Sequence, residues 1–259
     1  MKQFNNNLLN INPSAETKKI VSFIKTVLQK QNFKNVVIGV SGGIDSAVSL
    51  SLLAKSIPPQ NIFVAHLYYF KSQIGLIKQM FKKANIPQKN IYNISIKDAV
   101  DSFRNLHLFQ VEQVRLGNIM ARVRMIILYD IAKKHNGLVC GTENKSEKLL
   151  GYFTRFGDEA SDFEPIQHLY KTQVYELAKY LSIPQSIIDL PPTAGLWIGQ
   201  TDEGDFGFSY KEADNVLYLY NERKNSLSEI ISKGFPNAKK IIDWALKNSF
   251  KHHLPYMIK

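Results

Sequence analysis

The sequence predicts an α/β fold, a doubly wound parallel sheet with helices on both faces and further helices at the C-terminus. Three observations carry this. Apolar runs alternate with stretches of helical periodicity over the first 140 residues, the pattern of parallel strands joined by helices. The run at 36–40 is continuously apolar apart from Gly39, which suits a strand covered on both faces rather than on one. Residues 36–47, V-V-I-G-V-S-G-G-I-D-S-A, pass from that strand through a Gly-rich turn into a helix. At 259 residues the chain can bury a substantial core. No composition break, internal repeat or low-complexity run marks a linker, so 1–259 reads as a single domain.

Taken in order, 15–31 places Ile20, Ile24, Val27 and Leu28 at helical spacing and predicts an amphipathic helix. After the first strand, Gly42 and Gly43 let the backbone turn tightly and approach a ligand, and the helix at 47–54 points its free N–H groups at that turn. Strands follow at 61–69 and 91–94, with a helix at 74–83 between them. A long helix covers 111–135; Arg122 and Arg124 lie two apart on it, about 200° around the axis, so at most one faces any ligand. A further strand at 138–140 ends in G-T-E-N-K-S-E at 141–147, the strand end at which such sheets bind ligands. The stretch 151–162, G-Y-F-T-R-F-G-D-E-A-S-D, is too rich in Gly and Asp for a regular element. Four glycines in 193–209 predict an irregular segment suited to a lid. Helices are expected at 210–220, 227–234 and 236–247.

Composition excludes several classes. No apolar segment approaches the roughly 18 residues of a membrane span, and the polar start M-K-Q-F-N-N-N lacks the apolar core of a signal peptide, so the expectation is a cytoplasmic protein with no membrane partner. Cys140 is the sole cysteine, in an apolar run, which rules out an intramolecular disulfide. The net charge of +11 is spread as +5 over 1–60, +8 over 61–140, −3 over 141–200 and +1 over 201–259. No basic block with interleaved aromatics stands out, so the charge predicts no nucleic-acid partner and is compatible with small anions such as ATP.

The turn at 41–46, S-G-G-I-D-S, lacks the Lys-Ser or Lys-Thr of a Walker A loop and the third glycine of a dinucleotide fingerprint. It resembles the PP-loop of the ATP pyrophosphatase superfamily, whose members cleave ATP between the α- and β-phosphates. The further order G-N-I-M-A-R-V-R-M at 117–125, the G-T-E-N-K-S-E segment, G-Y-F-T-R-F-G-D-E-A-S-D and P-P-T-A ending at Ala194 is similar to the ammonia-dependent NAD synthetases. The segments extend over 39–194, most of the chain.

That resemblance implies ATP-dependent amidation of deamido-NAD by ammonia, through an acyl-adenylate, with AMP and pyrophosphate released. It implies ATP contacts from Gly39, Val40, Ser41, Gly42, Gly43, Ile44, Asp45, Ser46, Thr142, Lys171 and Thr193, with Asp45, Lys171 and Thr193 acting in the chemistry. It implies Mg²⁺ on Asp45 and Glu147, and deamido-NAD contacts from Arg122, Arg155, Asp162 and Lys251. It also implies a homodimer. Three departures stand out: Arg155 where lysine is common, H-L-Y-Y at 66–69 where an arginine is common, and Phe250-Lys251 where the family has His-Lys. The rivals are another PP-loop amidating or tRNA-modifying enzyme and a non-catalytic nucleotide-binding protein. Nothing ahead of the first strand resembles a glutaminase, and a cysteine in a buried strand is a poor nucleophile, so ammonia rather than glutamine is the expected nitrogen donor.

Overall fold

The computed structural model describes residues 8–72, 74–106 and 111–253; the polar stretch 1–7 lies outside them. Four parallel strands, β1 (Asn35–Gly39), β2 (Ile62–Tyr68), β3 (Ile91–Ser95) and β4 (Gly137–Cys140), form a sheet of order β3-β2-β1-β4. The chain winds outward from β1 through β2 to β3, then returns to place β4 on the other side of β1. The strand order therefore reverses between β1 and β4, where neighbouring loops diverge and leave a crevice at the carboxyl ends.

Each central strand serves two cores. Val36 and Ile38 of β1 pack with Ile62 and Val64 of β2 against α1 (Pro13–Lys30), α2 (Ile44–Ser56) and α3 (Ile74–Lys83). Val37 points the other way and joins Phe63, Ala65 and Val139 under α4 (Lys97–Asn105) and α5 (Gln113–Lys134). Side chains alternate sides along a strand, so an unbroken apolar run is what two covered faces require. The first helix begins where Asn12 accepts from the N–H groups of Ser14 and Ala15 with Pro13 behind it, an N-cap that satisfies otherwise orphaned donors.

The expected strands and the long helices are present within a few residues of their predicted bounds. Helix α4 was not foreseen: it is only nine residues long and its apolar stripe is narrow, with Val100 its one buried residue and Phe103 exposed. The short α6 (Lys145–Leu150), α7 (Lys171–Tyr180) and α8 (Gln185–Ile188) follow β4. The segment at 193–209 is less irregular than its glycines suggested. Thr201 caps a one-turn helix, α9 (Asp202–Phe206), by accepting from Gly204 N–H, and Phe206 anchors that turn in an aromatic cluster with Phe208, Tyr210 and Trp244. Helices α10 (Tyr210–Asn221), α11 (Leu227–Ser232) and α12 (Ala238–Asn248) form a third core around Phe206, Val216, Leu217 and Ile241.

Asp214 of α10 fastens this third core to the sheet. Its carboxylate accepts from the Ser146 hydroxyl of α6 and from Thr172 N–H of α7, so one buried side chain fixes the starts of both helices. Burial pushes that carboxyl up from 3.8 to about 6, against the opposing effect of its hydrogen bonds. The folded protein thus holds the proton more tightly than the unfolded chain. The stability this group contributes is fully present below about pH 4 and is lost as pH rises to about 6. In Asp214→Asn that loss is absent, so the unfolding free energy of the variant minus that of the wild type should climb by up to about 3 kcal/mol between pH 4 and 6. Urea unfolding across that range measures it; a flat difference would show that the carboxyl titrates alike in both states.

Candidate active site

The crevice between β1 and β4 holds the S-G-G-I-D-S turn on one side and the G-T-E-N-K-S-E turn on the other. Gly42 has φ +97°, a left-handed conformation that a side chain would strain, and this lets the backbone fold back on itself before α2. Ser41 Oγ accepts from Gly43 N–H at 3.2 Å, and Ser46 Oγ donates to Gly43 O at 3.0 Å. Val40 is tied to β2 through its N–H on Ala65 O and its carbonyl beside His66 Nδ1. Gly39 and Val40 end the strand, and Ile44 packs into the core, so the loop's side chains brace it and leave its backbone facing the crevice.

Lys171 organises the centre. Only 2% of this side chain's residue surface is exposed, and its Nζ donates to Asp45 Oδ2 at 2.6 Å and to Glu147 Oε1 at 3.0 Å. The ammonium also lies 5.1 Å from the centre of the Tyr210 ring. Asn144 completes the frame: its Nδ2 donates to Asp45 Oδ1, its Oδ1 accepts from Glu147 N–H, and its own N–H reaches Glu147 Oε2. The last two bonds form a capping box that begins α6, so helix capping and site geometry use the same residues.

Charge in this pocket is unbalanced. Lys171 faces Asp45 and Glu147 and feels Asp202 from α9 as well, which raises its affinity for a proton. Burial pushes the Glu147 carboxyl up, with the neighbouring Asp45 and Asp202 adding to the shift and Lys171 opposing it. Two carboxylates converging on one cation, with a third nearby, leave room for more positive charge. Among the described residues no group of three His, Cys, Asp or Glu is arranged to hold a metal alone. A hard divalent ion that takes few carboxylates and draws its remaining oxygens from phosphates and water would fit Asp45 and Glu147.

The other predicted residues belong to neighbouring turns and helices, each with partners of its own. Thr142 stands two residues beyond β4, in the same turn as Asn144. Thr193 is on the exposed strap leading to α9, its hydroxyl accepting from Gly195 N–H. Arg122 is exposed and donates to Arg155 O, while Arg124 turns inward to donate to Leu67 O, so the two arginines do diverge. The Arg155 guanidinium lies 5.6 Å from the Phe156 ring centre and 5.7 Å from that of Phe250. Asp162 accepts from Val139 N–H at 2.7 Å, pinning its loop to β4. Lys251 is turned inward, its Nζ on Gly151 O and Phe153 O, where it shapes the turn that carries Arg155.

Several contributors were not legible in the sequence. Asn144 and Asp202 sat unremarked inside motifs, and Ser146 and Asp214 gave no local signal because their roles depend on contacts between distant segments. The G-N-I-M-A-R motif had a legible spacing whose meaning is now clear. A Cβ on Gly117 would come within 2.8 Å of Leu196 of the 193–209 strap, Asn118 Oδ1 accepts from the Thr154 hydroxyl, and Ala121 sits under Gly157. One face of α5 is the bed on which both site loops rest.

A doubly wound sheet with an anion-facing Gly-rich turn, two carboxylates and a buried lysine at its switch point defines a nucleotide-binding α/β protein of the PP-loop kind. The profile of the NAD synthase family matches residues 16–255, and the chain belongs to that family. It is 42% identical over 251 residues to an NH₃-dependent NAD⁺ synthetase of Thermoplasma acidophilum, covering 94% of this chain and 97% of that one. Among solved structures it resembles an NMN synthetase from Francisella tularensis (TM-score 0.82, 33% identity, 96% of this chain and 100% of the other). It also resembles an NH₃-dependent NAD synthetase from Campylobacter jejuni (TM-score 0.81, 30% identity, the same coverage).

Replacing Lys171 by methionine keeps most of the volume and removes the charge between Asp45 and Glu147. Leaving buried carboxylates unpaired should destabilise the fold by about 3–5 kcal/mol near neutral pH. Added Mg²⁺ should then raise the thermal midpoint of Lys171→Met by more than that of the wild type, because the ion no longer competes with the lysine. Calorimetry with and without Mg²⁺ checks this, and equal shifts would count against a cation site at these carboxylates.

Proposed function

We propose that the chain converts deamido-NAD to NAD by ATP-dependent amidation with ammonia, through an acyl-adenylate, releasing AMP and pyrophosphate. The observation that carries this is the Lys171 ammonium seated between Asp45 and Glu147, beside a turn whose backbone is free to cradle phosphate. A carboxylate does not react with ammonia, because oxide is not a leaving group. Attack of its oxygen on the α-phosphate of ATP converts that oxygen into a phosphoester that can leave as AMP.

The backbone from Gly39 to Ser46 and the start of α2 would hold the β- and γ-phosphates. A helix N-terminus alone favours an anion by only about 0.3–2 kcal/mol. Lys171 adds a full charge aimed at the leaving group, in a site where burial strengthens it. Mg²⁺ held by Asp45 and Glu147 would supply further charge against the departing pyrophosphate. Thr142 and Thr193 are placed in the proposal as ATP contacts, Thr193 arriving with the strap. Arg122, Arg155, Asp162 and Lys251 are assigned to the dinucleotide, Lys251 acting through the Gly151–Phe153 turn. The strap's contact with α5 would keep water from the adenylate.

We also read the chain as one domain over 1–259, acting in the cytoplasm as a homodimer. The buried free thiol of Cys140 suits a reducing compartment. Exposed Phe103, Leu106, Val114 and Ile126 on and beside α4 and α5 supply apolar surface for a second copy.

A second reading has one specific support. Lys251 is engaged with backbone carbonyls and Phe250 stands beside Arg155, so the C-terminal contribution to a dinucleotide differs from the family pattern, and one similar structure is described as an NMN synthetase. On this reading the nicotinate mononucleotide is the substrate amidated. The kcat/KM ratio for the two nucleotides decides between them, and deamido-NAD should be preferred.

With ATP, Mg²⁺, deamido-NAD and ammonium, the purified chain should yield AMP and pyrophosphate in equal amounts with NAD; formation of ADP would refute the proposal. Ammonia-free glutamine should support no synthesis by the chain alone, since burial holds the Cys140 thiol well above its ordinary range.

Asp45→Asn and Glu147→Gln should each remove most activity while preserving the fold. The double variant should be little worse than either single one, because two ligands of one ion act as a unit. A multiplicative loss in single-turnover assays would show that the two carboxylates work separately.

A further inference from the structure

The proposed chemistry leaves one buried charge beside Lys171 unused, that of Asp202. This residue opens α9, the capped turn of the strap, and is 3% exposed. Its N–H donates to Pro192 O, and its Oδ2 accepts from the Tyr210 hydroxyl at 3.0 Å. Its Oδ1 is sealed from solvent and has no hydrogen-bond partner. The donors around it are already committed: the Tyr152 hydroxyl donates to Asp205 Oδ2 at 2.7 Å, and Gln200 Nε2 donates to the same oxygen at 3.0 Å. A buried carboxylate oxygen with nothing to accept from is unfavourable, and a donor arriving later would remove that penalty.

Tyr210 links this carboxylate to the centre. Its hydroxyl is on Asp202, while the Lys171 ammonium lies over its ring, 5.1 Å from the ring centre. The two charges feel each other across that ring, Asp202 raising the lysine's affinity for a proton and the ammonium opposing the effect of burial on Asp202. Thr172, next to Lys171 in the chain, and Glu203, next to Asp202, border with Tyr210 a cavity of about 560 Å³, so the space around the ring is not packed solid.

A divalent ion that takes Asp45 and Glu147 removes both carboxylate partners of the lysine, and a buried ammonium without a partner is strongly disfavoured. Phosphate would replace them once ATP is bound. An ion that arrives ahead of the nucleotide, or stays after pyrophosphate has left, brings no phosphate. The lysine is the mobile member of the group, a compact charge on a flexible four-carbon stem, whereas Asn144 holds both carboxylates in place. Asp202 Oδ1 is an acceptor of the right sign, close by and unspent.

We propose that Asp202 is the waiting partner of Lys171: when a dication holds Asp45 and Glu147 and no phosphate is present, the ammonium passes over the Tyr210 ring to Asp202 Oδ1. Asp202 is thus a positioning residue that acts through the lysine and eases the lysine's displacement by the metal. The inference rests on the reading of Asp45 and Glu147 as cation ligands.

Mg²⁺ titrated calorimetrically, without nucleotide, into the wild type, Asp202→Asn, Lys171→Met and the double variant closes a thermodynamic cycle. Asp202→Asn should weaken Mg²⁺ binding at least about tenfold more when Lys171 is present than in Lys171→Met, the loss of one charge-assisted hydrogen bond. Equal weakening in the two backgrounds would overturn the proposal, since Asp202 would then act on the ion itself. If the wild type binds no Mg²⁺, the cation reading fails, and a second measurement judges the lysine's move without metal. In crystals of the Asp45→Asn, Glu147→Gln double variant grown with chelator, Lys171 Nζ should stand about 3 Å from Asp202 Oδ1; an ammonium left between positions 45 and 147, or seated elsewhere, would sink the idea.

Discussion

Three segments far apart in the chain meet on one buried ammonium. Lys171 at the start of α7 binds Asp45 from the loop after β1 and Glu147 from the helix after β4, and without it those loops would present like charges to each other. A lysine this deeply buried is stable only while paired, and the paired carboxylates are stable near each other only while it is present. The ion group is therefore a structural lock, and on the proposed reading it is also a site of exchange, in which phosphate would take the lysine and a dication the carboxylates, each keeping a partner of opposite sign.

The supports behind that lock are polar and cooperative. Ser146 Oγ accepts from Lys171 N–H and donates to Asp214, so the residue that positions the lysine's backbone is itself held by α10. Helix α10 consequently contributes to the site twice, through Asp214 behind it and through the Tyr210 ring beside the Lys171 ammonium. Helix α5 does the equivalent work on the opposite side of the sheet: small residues at 117 and 121 admit the strap and the 151–162 loop, and Asn118 bonds to the latter. Close approach is what glycine and alanine permit, and here it lets the Leu196 side chain and the turn at Thr154 and Gly157 sit directly on α5.

The family comparison and the geometry answer different questions. Membership in the NAD synthase family fixes the class of chemistry, while the geometry shows how Phe250, Arg155 and Lys251 are held in this chain, Arg155 beside the Phe250 ring and Lys251 on backbone carbonyls.

The strand–turn–helix at 36–47 was legible from sequence because its signals are local: an unbroken apolar run, glycines at the turn and an ordered set of polar residues. The long helices were legible from periodicity, and the divergence of Arg122 and Arg124 followed from helical geometry alone. The order of motifs was enough to indicate the family. What the sequence could not determine was which polar residues meet. Asn144 bridging Asp45 to α6 and Asp214 tying α6 to α7 both depend on contacts across tens of residues. Hydrogen bonds and ion pairs act over a few ångströms in space regardless of separation along the chain. Only the tertiary structure, by bringing the ends of β1 and β4 to the switch point, decided them.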